Sequence, residues 1–161
     1  MGINDHVDNF QIMKTWIQEC RQNHETCLKN LENFLPTRLL DLQAFETGDD
    51  IRLVSIELKD FKDEDFQPEY IALSHCWGPP EMHPITTTKE NLEERMTRIF
   101  IDGLSNTFRD AVRITRELGE RYLWIDSICI IQDGSDDWIE QSALMADIYG
   151  RAYVKIGRAH V

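Results

Sequence analysis

Apolar positions in this chain recur with two different periods, and the periods predict two kinds of element. From about Asp5 to Gln22, Phe10, Met13, Ile17 and Cys20 fall three and four residues apart, with Trp16 on the same flank, as on the buried stripe of a helix. Phe108, Ala111, Val112, Thr115 and Leu118 repeat that spacing between a capping Ser105 or Asn106 and a terminating Gly119. A further helix starts at Asp136 or Asp137 and aligns Trp138, Ser142, Met145 and Tyr149, with Leu144 and Ile148 adjacent. Thr87 with Glu90 three residues later forms a capping box and predicts a short helix through Met96.

The other runs read as strands. Arg38–Phe45 and Ile51–Leu58 flank a turn over 46–50 that contains Gly48, the pattern of a hairpin. The stretch from Lys59 to Glu69 is acidic, contains Pro68 and reads as a surface loop. Tyr70–Ser74 (YIALS) is a short apolar strand halted by HCWGPP, where Gly78, Pro79 and Pro80 force a turn. Tyr122–Ile125 (YLWI) has no polar alternation, which predicts a strand buried on both faces. A last strand begins near Ala152 and runs to about Lys155.

Helix, buried strand, loop and helix in that order make an α/β unit. The expected fold is a mixed sheet flanked by helices, with strands near 51–58, 70–74, 122–126 and 152–155 and an N-terminal helical lead-in. Asp126 then ends a buried strand, where open α/β sheets place their ligands. If the strands at 70–74 and 122–126 are parallel neighbours, Ser74, Trp77, Gly78, Asp126 and Ser127 share one rim, which is the candidate pocket.

Composition narrows the class. The chain has 161 residues, enough for one domain with a core, and a formal net charge of −12. Without a basic patch that charge repels phosphate backbones, so no nucleic-acid partner is expected. No apolar run approaches a membrane span and the N-terminus has no signal-peptide pattern, so the expected location is cytoplasmic, with no membrane. The four cysteines are then expected to be reduced.

Each reactive side chain has a structural and a chemical reading. Cys20, His24 and Cys27 carry zinc-ligand chemistry, but C-x-x-x-H-x-x-C has no local fourth ligand, so no metal is assigned. Ser74, His75 and Asp126 contain the letters of a hydrolase triad, yet adjacent strand residues point to opposite faces and Ser74 cannot pair with His75. Cys129 with His75 is a second nucleophile–base combination whose geometry is open. Trp77-Gly78 reads either as a ligand wall or as a packed turn. Among the acids Asp133, Asp136, Asp137 and Glu140, a helix N-cap and a first-turn acid account for most without chemistry. Asp126 is a carboxylate closing an apolar strand, and it requires donors or water.

The motifs YIALSHCWG (Tyr70–Gly78), FRDAVRITRELGERYLWIDSICIIQD (Phe108–Asp133), DDW (Asp136–Trp138) and M-x-x-I-Y (Met145–Tyr149) resemble the heterokaryon incompatibility (HET) domain of filamentous fungi. So do the upstream W-x-x-x-C-x-x-x-H-x-x-C (Trp16–Cys27) and LPTRLLDL (Leu35–Leu42). The resemblance implies an effector of non-self recognition that leads to programmed cell death through a protein partner or self-assembly. It also implies a likeness to the TIR fold, some members of which cleave NAD. NAD is therefore the one substrate the analogy offers, with no cofactor assignable and catalysis undecided. On this reading 1–69 is a lead-in, 70–155 the N-terminal part of a HET domain, and 156–161 (IGRAHV) a non-native tail. That tail is what one frame of a common sequencing-library adapter encodes, and the domain is expected to be interrupted there.

Overall fold

The computed structural model describes residues 5–24, 34–56 and 68–157. Five strands form one sheet: β1 (Arg38–Asp41), β2 (Arg52–Ser55), β3 (Tyr70–Ser74), β4 (Tyr122–Ile125) and β5 (Val154–Gly157), in the order β2-β1-β4-β3-β5. β1 is antiparallel to β2 and to β4, while β3 is parallel to β4 on one side and to β5 on the other. The sheet is therefore mixed and the domain α/β, as the alternation of elements predicts. The helices are α1 (Asp5–Asn23), α2 (Leu92–Thr97), α3 (Asn106–Leu118), α4 (Asp126–Cys129) and α5 (Ser135–Arg151).

β3 and β4 are apolar throughout because both of their faces are covered. In parallel register Tyr70 pairs with Tyr122 and Ala72 with Trp124. These residues share the face under α5: the Tyr70 hydroxyl donates to Ile148 O at 2.6 Å, and the Trp124 and Tyr149 rings meet edge to face at 5.3 Å. By the two-residue period, Ile71, Leu73, Leu123 and Ile125 point to the opposite face, toward α3. Two parallel crossovers leave β3 and β4 in opposite directions along the sheet, and right-handedness sends their helices to opposite faces.

α3 forms as its sequence predicts. The Ser105 side chain accepts from Phe108 N, the five apolar-stripe residues are the buried ones, and Gly119 takes the left-handed conformation (φ 90°) that closes the helix. α1 also keeps its stripe, with Phe10, Met13, Ile17 and Cys20 partly buried, but Trp16 is 66% exposed and not on it.

Several boundaries move. β1 and β2 are each four residues, shorter than the runs that predict them, and Ile51 bridges to Ile99 instead of extending β2. β5 begins two residues after Ala152. The stretch after Ile125, expected as a loop, is the single helical turn α4. The Thr87–Glu90 capping box does not form: α2 starts at Leu92, and Thr87 is instead fully buried in a bridge to Ile131. On α5 the buried residues are Gln141 and Ile148, while Trp138 is half exposed, so the buried stripe is offset from the predicted one. Residues 57–67, the end of the expected Ile51–Leu58 strand and most of the expected surface loop, lie outside the described residues.

Candidate functional site

The point where the two crossovers diverge is the carboxyl end of β3 and β4, and in open α/β sheets such a point leaves a crevice. The register carries Leu73 opposite Ile125, so the residues just beyond both strands must meet. They are His75 and Trp77 on one side and Asp126 on the other. Gly78 takes a positive φ of 76°, which lets the chain double back after Trp77 at little steric cost.

The Trp77 indole Nε1 donates to Asp126 Oδ2 at 3.0 Å. Ser127 N donates to Asp126 Oδ1 at 2.7 Å, and His75 Nδ1 lies 3.6 Å from that same oxygen. The carboxylate therefore accepts from the indole and not from the Gly78 backbone. Trp77 is fixed in turn by His83, whose ring stands edge-on to it at 5.5 Å. The His75 ring lies edge to face with Phe108 of α3, centroids 5.0 Å apart.

The electrostatics follow from burial. The His75 side chain is 9% exposed, and this desolvation lowers its pKa below the ordinary 6.5 although Asp126 pulls it upward. At neutral pH the imidazole is uncharged, and among the described residues no Lys or Arg contacts Asp126. His75 Nε2 and Ser127 Oγ are both buried without a hydrogen-bond partner. Tyr149, whose hydroxyl donates to Leu73 O, is pushed up to about 12, first by burial and then by the Asp126 charge. Asp126 still has acceptor capacity beyond its two bonds, since a carboxylate offers about four lone-pair sites. The arrangement suits recognition of a hydroxyl or amine donor.

The loop that carries Asp126 is pinned from two directions. Thr87 N donates to Ser127 O, Thr87 Oγ1 to Ile128 O, and Gln132 N to Thr87 O. From β1, Arg38 Nε donates to Cys129 O at 2.7 Å, and its Nη2 reaches both Asp137 oxygens at 2.6 Å. Asp137 also accepts from Ile131 N.

These bonds revise several expected roles. Neither Asp136 nor Asp137 is the N-cap of α5: Gly134 holds that position, and Asp137 belongs to the Arg38 brace. Asp133 accepts from Lys89 N, and Glu140 is exposed on α5. Of the five expected rim residues, Trp77 and Ser127 both bond to the Asp126 carboxylate, Ser127 through its backbone amide with its side chain fully buried, while Ser74 lies in the β3–β5 pairing. Cys129 is buried, which pushes its thiol up to about 12 and disfavours the thiolate that a nucleophile needs. Cys20 Sγ and His24 Nδ1 approach to 3.4 Å, while Cys27 lies outside the described residues. Among the described residues no three His, Cys, Asp or Glu side chains gather as a metal site.

Sequence reasoning counted His75 with Ser74 and Asp126 among the letters of a hydrolase triad but left it out of the candidate rim. A signal was available: His75 and Asp126 are the first residues beyond the ends of the two parallel strands. Nothing local announced Arg38.

Fold and strand-end group define an α/β domain with a polar group at the carboxyl ends of two parallel strands. The family described as heterokaryon incompatibility protein (HET) matches residues 70–160, and the chain belongs to it. Heterokaryon incompatibility protein 6, OR allele, of Neurospora crassa is 38% identical over 94 residues, covering 53% of this chain. The chain spans 13% of that relative's length. No solved structure matches.

Proposed function

We propose that this chain acts in fungal heterokaryon incompatibility, as part of an effector whose activation leads to programmed cell death. The observation that carries the reading is the family match over residues 70–160, the segment that also supplies His75, Trp77 and Asp126. The effector acts in the cytoplasm through a protein partner or self-assembly. No helix among the described residues is long and apolar enough to cross a membrane.

The strand-end group is the part of the domain that responds to a ligand or partner. Asp126 holds the Trp77 loop by a charge-assisted hydrogen bond, so a donor competing for the carboxylate would move that loop. Expression of a death-inducing protein containing this domain in a fungal host tests the reading. Asp126→Asn is expected to accumulate normally and to abolish killing. Killing at the unsubstituted level would remove Asp126 from the mechanism, and absence of death from the parent protein would overturn the effector role itself.

A further inference from the structure

A cleft elsewhere in the molecule shares no residue with the Asp126 group. It has a volume of about 280 Å³ and lies between α3 and the 46–50 turn, with Ile101 of the single-turn 3₁₀ segment that precedes α3 (Ile101–Gly103) on its wall. Arg109, Arg113 and Arg116, at i, i+4 and i+7 of α3, all line it, and Val112 lies between them. Three guanidinium groups on one helix face repel each other, and this occurs in a chain whose net charge is −12.

The three arginines are not equally committed. Arg116 is built in: its Nε and Nη2 donate to Leu42 O at 3.2 and 2.8 Å, its Nη2 also donates to Asp49 O at 2.9 Å, and its Nη1 stands 3.8 Å from the Asp49 carboxylate. Arg109 makes one bond, within its own helix, to Asn106 Oδ1. Arg113 has no acceptor among the described residues and is exposed. Two carboxylates, Asp49 and Glu117, also line the cleft. Three positive and two negative groups leave it one positive charge in excess, with the free donors concentrated on Arg109 and Arg113.

We propose that this cleft binds the phosphate of a small phosphomonoester. Forked guanidinium donors match the acceptor oxygens of a phosphate, and a monoester carries about −1.5 to −2 charge on three such oxygens. The volume sits near the lower end for ligand pockets, roughly 300 Å³ upward, so the occupant is small. Ile101 and Val112 offer an apolar surface for the group esterified to the phosphate. A carboxylate ligand has two acceptor oxygens and a single charge, and it satisfies two arginines less completely.

The test is titration of the isotopically labelled 161-residue chain with inorganic phosphate and with phenyl phosphate at constant ionic strength, followed by amide NMR shifts. Saturable shifts at Ile101, Arg109, Val112 and Arg113 are expected, with phenyl phosphate binding more tightly than inorganic phosphate. Arg113→Ala should weaken binding about tenfold, the equivalent of one charged hydrogen bond. Arg109→Ala/Arg113→Ala should abolish it. Because both side chains are exposed, the denaturation midpoint should hold, and Arg113→Gln provides a second variant if it does not. Shifts that never saturate, or that persist in the double variant, would overturn the proposal. So would shifts from a glutamate-rich peptide with none from either phosphate, which would assign the cleft to an acidic protein segment instead.

Discussion

Two groups of buried or half-buried carboxylates in this domain contrast in how their charge is met. At the ends of β1, Asp41 is 1% exposed and accepts from Arg121 Nε and Nη2, each at 2.8 Å, and from Gln43 N. Burial works against its charge, yet the Arg121 bonds prevail and hold its pKa below the ordinary carboxylate value. Asp137 is likewise gripped by both of its oxygens through Arg38, itself only 7% exposed. At the β3–β4 rim, Asp126 meets an indole, a neighbouring amide and a neutral imidazole, and no guanidinium among the described residues. Where the carboxylate serves the fold, a cation neutralises it. Where it sits at the rim, its charge is left available, and two buried polar atoms beside it have no partner.

Trp124 is 1% exposed in the central strand β4, and its removal should have the largest effect. Trp124→Ala is expected to destabilise by roughly 3–5 kcal/mol through lost transfer energy and the cavity left behind. An unchanged chemical-denaturation midpoint would show that Trp124 does not support the core.

Breaking the brace comes next. Asp137→Ala leaves Arg38 buried without its counter-charge and should cost roughly 3 kcal/mol. Because Arg38 also holds Cys129 O, the loop carrying Asp126 should loosen, which amide exchange at Ile128–Ile131 would reveal. Exchange unchanged at these amides would separate the brace from the rim.

Acidification should act on the rim through His75. Its folded pKa lies below the ordinary 6.5, so the unfolded chain binds the proton more readily. The stability this confers is fully present above 6.5, is lost as pH falls from there toward the lowered folded value, and then levels off. Denaturation midpoints measured across that window should fall in the parent chain, and the step should shrink in His75→Gln. An identical profile in the two proteins would place the pH sensitivity elsewhere.

The smallest change in stability should come from the rim carboxylate itself. Asp126→Asn keeps the volume and an acceptor for Trp77 Nε1, and with no guanidinium to orphan it should shift stability by less than about 1 kcal/mol. Asp137→Asn, measured in parallel, should lose more. Equal losses would erase the distinction between the two groups.

The sequence by itself determined whatever depends on neighbours along the chain. α3 carries its cap, stripe and terminator within fifteen consecutive residues, Ser105–Gly119, and β3 and β4 show two-sided burial by their lack of polar alternation. From the order of elements it was also legible that Asp126 closes a strand, and so was the family. Tertiary structure alone decided which partners each charged group finds. Arg38 meets Asp137 across 99 positions, and Asp41 meets Arg121 across 80. Thr87, which locally has the makings of a helix cap, is drawn into a bridge with Ile131 and bonds to the 127–132 backbone. Those choices follow from strand order and register, which place distant residues side by side, and a buried polar group then takes whichever partner spares it desolvation, wherever that partner lies in the chain.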